Sequence, residues 1–144
     1  MAEQEQIIDS KEKGVAKHVQ RYVASDGKDG YLFHGMPTLL LTTRRRKSGK
    51  LYRTALIFGE DNERYLLIPS NGGSDDAPSW YLNLLENPEV YVQVVADKFT
   101  AQARIATPEE KPSLWQIMTK IFPRYNTYQK QSAREIPVVI LERS

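Results

Sequence analysis

The fold class is decided by the stretch Thr38-Leu39-Leu40-Leu41-Thr42-Thr43-Arg44-Arg45-Arg46-Lys47-Ser48-Gly49-Lys50-Leu51-Tyr52-Arg53-Thr54-Ala55-Leu56-Ile57-Phe58. It holds two apolar runs of strand length, residues 38–43 and 53–58, on either side of a basic loop. Short apolar runs separated by a polar loop are typical of strands joined in a hairpin. The stretch therefore predicts a β-hairpin.

Outward from this hairpin, further short strands alternate with turns and a few helices. Strand patterns occur at residues 64–69, 90–95, 99–105 and 137–141, with a turn expected at Ala96-Asp97. Helices are predicted near the N-terminus, from a cap at Asp76 or Ser79 to near Asn87 before Pro88, and after the capping-box residues 107–110. About six mostly antiparallel strands with flanking helices indicate an α+β, mainly β, protein built as a small closed or half-closed barrel.

The charge of the chain is concentrated in one place. It has 20 Lys plus Arg against 18 Asp plus Glu, a net charge of +2, and residues 36–59 contain no acidic residue. Six bases lie close together there, namely Arg44, Arg45, Arg46, Lys47, Lys50 and Arg53. The rest of the chain has 14 bases against 18 acids, a net charge of −4. Guanidinium groups, Lys47, the Ser48 hydroxyl and the Gly49 backbone suit an anion such as phosphate, and a solvated hairpin tip is the alternative.

Several kinds of chemistry are excluded or disfavoured by composition. The chain has no cysteine, so disulfides, thiolate metal sites and cysteine nucleophiles are excluded. It has two histidines, His18 and His34, and no metal site is expected. The N-terminus is polar and acidic, and no apolar run reaches the roughly 18 residues of a membrane span, so a cytoplasmic location is expected.

The N-terminal helix and two other segments have more than one interpretation. Val15, Val19, Tyr22 and Val23 form an apolar face that either docks on the core or contacts a membrane surface peripherally. Tyr125 and Tyr128 share a helix face and either stack on a planar ligand or seal the core. The loop 69–73 offers the Ser70 hydroxyl and paired glycines to a ligand, or is a plain turn.

These motifs, taken in order, resemble the deazaflavin-dependent nitroreductase family of actinobacteria over roughly residues 30–142. The matching segments are residues 39–43, 46–50, 53–56, 70–73, 78–84, 87–88 and 122–128. The resemblance implies a split β-barrel like that of FMN-binding proteins, over residues 30–144, preceded by an N-terminal helix and connector at residues 1–29. It implies coenzyme F-420, an 8-hydroxy-5-deazaflavin, as cofactor, with FMN as the alternative.

The resemblance also implies roles for individual residues. The expected coenzyme-binding residues are Arg46, Lys47, Ser48, Gly49, Arg53, Ala55, Leu56, Ser70, Asn71, Gly72, Gly73 and Trp80. The expected substrate-binding residues are Trp80, Phe122, Tyr125 and Tyr128, and Tyr125 and Ser70 are the expected catalytic residues. The chain departs from the family pattern at Leu51-Tyr52, where a proline and an arginine are usual, at Ala55 and at Phe122.

The activity implied is hydride transfer from reduced F-420 to a small-molecule acceptor, a quinone, an enone, or a nitroaromatic or nitroimidazole compound. An FMN-binding split-barrel protein and a non-catalytic deazaflavin carrier are the alternatives. A nucleic-acid-binding module is disfavoured because the bases lie in one loop and are not spread over several strands. The oligomeric state is left open between monomer and homodimer.

Overall fold

The computed structural model describes residues 7–10 and 14–144. Within this part of the chain there are nine strands and four α-helices, with one turn of 3-10 helix at Asn71–Gly73. The strands are β1 (Ile7–Asp9), β2 (Leu32–Phe33), β3 (Met36–Arg44), β4 (Leu51–Ile57), β5 (Gly59–Asp61), β6 (Arg64–Leu67), β7 (Glu89–Val94), β8 (Asp97–Ile105) and β9 (Val139–Arg143). The helices are α1 (Val15–Ser25), α2 (Ser79–Glu86), α3 (Lys111–Ile121) and α4 (Arg124–Gln131).

The strands form one sheet in the order β1-β4-β3-β7-β8-β9-β6-β5, with β2 paired to β3. The pair β1 and β4 is parallel, and the other pairs are antiparallel. Strands β4 and β5 lie far apart in this order, yet Phe58 alone separates them in sequence. The short connection therefore makes the sheet curl back on itself, although hydrogen bonds do not close it. This arrangement is a split barrel. The predicted fold class is confirmed.

The predicted hairpin and the later strands are confirmed, with small shifts at their ends. Three short strands, β1, β2 and β5, were not predicted, because two or three residues are too few to show an alternating pattern. The turn before β8 falls at Val95 and Ala96, one residue earlier than expected, and Val95 has a φ of 57°.

The predicted capping box before α3 is confirmed by its hydrogen bonds. The Thr107 N–H donates to Glu110 Oε1 at 2.9 Å, and the Glu110 N–H donates to Thr107 Oγ1 at 3.3 Å. The helix itself begins at Lys111, next to Pro112, which accounts for its late start.

The core consists of three clusters that fix the helices on the sheet. One packs α2 against the strands through Trp80 and Leu84, and a second lies under α3 and α4 around Met118 and Tyr125. The third packs α1 on β3, with Val19 and Tyr22 fully buried beside Leu40. The apolar face of α1 therefore docks on the core.

The N-terminal segment predicted at residues 1–29 lies partly outside the described residues, and its division from residues 30–144 stays a prediction. Among the helices described, none is long and apolar enough to cross a membrane.

Tyr22→Phe is expected to lower the free energy of unfolding by about 1–3 kcal/mol. The buried Tyr22 hydroxyl accepts the Val95 N–H at 2.8 Å and donates to the Thr38 carbonyl at 3.0 Å. Removing the hydroxyl leaves the Val95 N–H and the Thr38 carbonyl unsatisfied. Val95 is itself a β-branched residue in a left-handed conformation. Urea unfolding measures the change, with Tyr91→Phe at a more exposed position as control. Equal stability of the two variants would contradict the prediction.

Candidate functional site

The basic loop between β3 and β4 has a defined shape. The Arg45 N–H donates to the Lys50 carbonyl at 2.8 Å, and the Gly49 N–H donates to the Arg45 carbonyl at 3.0 Å. The Arg44 guanidinium donates to the Gly49 carbonyl at 2.6 Å, and Gly49 has a φ of 71°, which favours glycine. The guanidinium of Arg45 lies over the Tyr52 ring, 4.7 Å from its centroid. The loop is thus a closed turn with a defined backbone.

Helix α2 is fastened to this loop through Asn83. The Asn83 side chain is buried, and its Nδ2 donates to Thr43 Oγ1 at 3.2 Å. Its Oδ1 accepts a hydrogen bond from the Arg46 guanidinium at 2.9 Å, and the same guanidinium nitrogen donates to the Ser79 carbonyl at 3.2 Å. Asn83 therefore orients Arg46. It was not predicted as a site residue, although one polar residue among apolar ones in a short helix is a signal for such a role.

Loop and helix together form a small basic pocket of about 240 Å³. Its walls are Arg45, Arg46, Lys47, Ser48, Ser79 and Asn83. In the part of the chain that the structure describes, Arg45, Arg46 and Lys47 form no ion pair with a carboxylate. Helix α2 begins at Ser79, so the positive end of its dipole lies at this pocket. The preceding residue, Pro78, has no side-chain oxygen to cap the helix. The pocket is suited to an anion.

A larger cavity of about 490 Å³ shares Ser79 with the basic pocket. Nine of the predicted site residues line it, namely Ala55, Leu56, Ser70, Asn71, Gly72, Trp80, Phe122, Tyr125 and Tyr128. Four separate segments of the chain supply these residues. The fold therefore brings the predicted anion-binding and ring-binding residues together in two adjoining pockets.

One wall of the cavity is an open edge of β4, which we call the free edge. The Ser10 N–H donates to the Arg53 carbonyl at 2.9 Å, so the main chain of Arg53 points away from β3. The Thr38 N–H donates to the Tyr31 carbonyl at 2.7 Å and so does not bond to Ile57, the residue opposite it on β4. The N–H and C=O groups of Ile57 therefore also point away from β3. Along a strand of an antiparallel pair, the N–H and C=O groups of successive residues point alternately toward and away from the partner strand. Those of Ala55, midway between Arg53 and Ile57, therefore also point away from β3. Strand β1 ends at Asp9, opposite Arg53, and no described residue bonds to the N–H and C=O groups of Ala55 and Ile57 on this side.

Another wall is aromatic and consists of α4 and of Phe122, which directly follows α3. The Phe122 ring lies edge-on to Tyr125 at 4.9 Å and to Tyr128 at 6.0 Å between centroids. Tyr125 is 5% exposed, and burial raises the pKa of its hydroxyl well above the usual value, with a smaller contribution from Tyr128. The Tyr125 hydroxyl is therefore neutral at neutral pH and is able to donate a hydrogen bond.

The glycine loop is held against α4 by Arg134. The Arg134 guanidinium donates to the carbonyls of Pro69 at 2.7 Å, Ser70 at 3.1 Å and Ser74 at 3.3 Å. Gly73 has a φ of 86°, and a Cβ there would lie 3.1 Å from the Tyr128 Cα. Gly73 thus allows the close approach of loop and helix, and it does not line the cavity. Ser70 and the tyrosines form one rigid rim.

Arg134→Met is expected to lower the free energy of unfolding by about 1–2 kcal/mol and to speed hydrogen exchange in residues 69–75. The methionine keeps the apolar stem and loses three carbonyl hydrogen bonds. Urea unfolding and hydrogen-exchange mass spectrometry measure the two effects. Lys130→Met, an exposed change in α4, is the control. Unchanged exchange in this loop would show that Arg134 does not hold it.

Two further predicted residues lie elsewhere. Arg53 donates from Nε to Asp9 Oδ1 at 2.7 Å, and it lines a separate groove with Ile7 and Tyr91. Gly49 shapes the loop but is not on either pocket wall.

The cavity has twelve wall residues that were not predicted: Ser10, Val15, His18, Phe33, Thr38, Tyr52, Thr54, Ile57, Leu67, Ile68, Pro78 and Ser79. Tyr52 and Thr54 were detectable, because they alternate with Arg53 along β4 and so share a face with Leu56.

An anion pocket joined to an aromatic cavity, on a split barrel, is the arrangement of a protein that binds a flavin-like coenzyme. The family model described as F420H(2)-dependent quinone reductase matches residues 15–143, and the chain belongs to that family. The family resemblance found in the sequence is confirmed, and the family description specifies quinones.

Relatives in sequence and structure agree with this assignment. An F420H(2)-dependent quinone reductase of Mycobacterium tuberculosis is 35% identical over 130 residues, which are 88% of this chain and 87% of the relative. A solved F420-H2 dependent reductase is 37% identical with a TM-score of 0.68, over 74% of this chain and 94% of that chain. Another solved structure, described as a domain-swapped dimer, is 34% identical with a TM-score of 0.71, over 88% of this chain and 96% of that chain.

Proposed function

We propose that this protein is an oxidoreductase that uses reduced coenzyme F-420 to reduce a quinone. The observation that carries the proposal is the junction at Ser79, where the basic pocket opens beside the aromatic cavity. One ligand with an anionic group and a planar ring fits both. Family membership gives the same activity.

The residues present fit the chemical groups of F-420. Its phosphodiester suits Arg46, Lys47 and the positive end of α2. Its planar tricycle suits the aromatic cavity, and the N–H and C=O groups of its pyrimidinedione edge complement those of the free edge. The five residue steps of β4 from Tyr52 to Ile57 span roughly 16 Å, room for both a sugar-like chain and a ring.

When bound, reduced F-420 supplies a hydride. The protein holds the acceptor in the cavity, where Trp80 and Phe122 exclude water from one side. The Tyr125 hydroxyl remains protonated and donates a hydrogen bond to the acceptor oxygen on which negative charge develops. The Ser70 hydroxyl, at the rim of the cavity, forms a hydrogen bond with the same oxygen or with the coenzyme ring.

Flat aromatic quinones match the aromatic walls of the cavity best. Nitroaromatic compounds and enones share the flat shape and an oxygen that accumulates negative charge, so we extend the proposal to them as secondary acceptors. We propose no membrane contact through α1, because its apolar face lies against β3 and β4. Light scattering on the purified protein distinguishes monomer from homodimer.

The proposal is tested by titrating the protein into F-420 and, separately, into FMN, with fluorescence quenching as the readout. We expect binding of F-420 at micromolar concentration and weaker binding of FMN. Turnover is then measured with reduced F-420 and menadione as the return of absorbance of the oxidised coenzyme. Binding of FMN alone would assign the protein to the flavin-binding proteins, and F-420 binding without turnover on any acceptor would make it a carrier.

A further inference from the structure

His18 lines the large cavity and does not line the basic pocket. Its Nε2 and the Thr38 hydroxyl both donate to the Gly30 carbonyl, at 2.6 Å and 2.8 Å. Thr38 pairs with Ile57, the last residue of β4, whereas Tyr52 at the other end lies under Arg45. His18 is thus tied to Thr38 near the end of β4 that lies away from the phosphate-binding residues, on the wall of the same cavity as Tyr125.

The surroundings fix both the ring and its tautomer. Because a carbonyl only accepts, Nε2 carries a proton, and the ring stacks on Phe33 with centroids 5.8 Å apart. Gly30 has a φ of 108°, and a Cβ there would lie 3.1 Å from the imidazole. The second nitrogen, Nδ1, has no hydrogen-bond partner among the described residues, and His18 belongs to the wall of the cavity.

His18 is the only imidazole on the described wall of this cavity. Its described wall contains no Asp, Glu, Lys or Arg, and the other titratable side chains on it are Tyr52 of β4 and Tyr125 and Tyr128 of α4. On the outer side, the His34 ring contacts Phe33 at 4.3 Å between centroids. Imidazole is the side chain that gains and loses a proton in the neutral range.

We propose that His18 delivers the proton that completes reduction of the acceptor, through Nδ1. With the coenzyme bound, the quinone would gain a hydride, which carries two electrons, and one proton from Nδ1, and would become the hydroquinone. The oxidised coenzyme would release its own remaining proton to solvent. The imidazolium becomes neutral, keeps its Nε2–H on the Gly30 carbonyl, and regains a proton at Nδ1 from solvent. This role rests on the proposed function, in which Tyr125 only donates a hydrogen bond.

The test is His18→Gln, with His34→Gln as matched control. The glutamine amide replaces Nε2–H toward the Gly30 carbonyl and has no group in place of Nδ1. We expect a loss of about 100-fold in kcat with menadione, and F-420 affinity within about twofold of wild type. Because the step consumes a proton held on Nδ1, the wild-type rate should fall with rising pH, and this fall should be absent in His18→Gln and present in His34→Gln.

Other results overturn the inference in distinct ways. An unchanged kcat and pH profile in His18→Gln would show that another group supplies the proton. A weakened F-420 affinity with unchanged kcat would make His18 a coenzyme contact. If wild-type protein binds no F-420 in the fluorescence titration, the proposed function fails and this role fails with it, whereas normal wild-type binding and turnover isolate the test of His18.

Discussion

Replacing Arg46 and Lys47 together by alanine is expected to weaken F-420 binding by about 100- to 1,000-fold. A hydrogen bond to a charged group contributes about 1.5–3 kcal/mol, and both side chains are exposed, so the lower part of that range applies to each. Two such contacts amount to about 3–4 kcal/mol, and each 1.4 kcal/mol is a factor of ten in Kd. Fluorescence titration at fixed ionic strength measures the change.

The control removes the same charge elsewhere, as Lys28→Ala with Lys120→Ala, two exposed positions away from both pockets. This variant should bind F-420 as wild type does. The affinity of the wild type should also fall with added salt, and the Arg46 and Lys47 variant should lose most of that dependence. Equal affinities of the two double variants would mean that the anion lies outside the basic pocket.

The fold was largely predictable because its long elements carry local signals. Strand β3 and the helix α2 are apolar runs ended by polar loops or by proline, and a capping box marks the start of α3. Each of these signals lies within a few neighbouring residues. Tyr125 and Tyr128 were predicted to share a helix face for the same reason, and both line the cavity.

Features that depend on distant pairing could not be predicted from one sequence. Arg53 belongs to the basic segment, but it pairs with Asp9, 44 positions earlier, because β1 runs parallel to β4. The free edge exists because β1 ends opposite Arg53, and the position of His18 depends on the docking of α1. Local patterns contain none of this information, since strand order and docking are set by contacts across the whole core.

Tyr125→Phe is expected to lower kcat with menadione by about 100-fold while F-420 affinity and stability stay near wild type. The ring is kept, so packing against Phe122 survives, and the change removes only the hydroxyl. That hydroxyl has no hydrogen-bond partner among the described residues, and Tyr125 lines the cavity. Loss of one donor aimed at a developing oxyanion costs about 100- to 1,000-fold in rate.

The pH dependence distinguishes Tyr125 from His18. Burial raises the pKa of Tyr125 above the usual tyrosine value of 10.0, so its hydroxyl stays protonated throughout the neutral range. Tyr125→Phe should therefore lower the rate equally across that range and keep the fall at higher pH, whereas His18→Gln should remove that fall. Tyr91→Phe, outside the cavity wall, is the control. If Tyr125→Phe instead abolished the pH dependence, the tyrosine would be the proton source. If kcat were unchanged, the ring of Tyr125 and not its hydroxyl would contribute to the reaction.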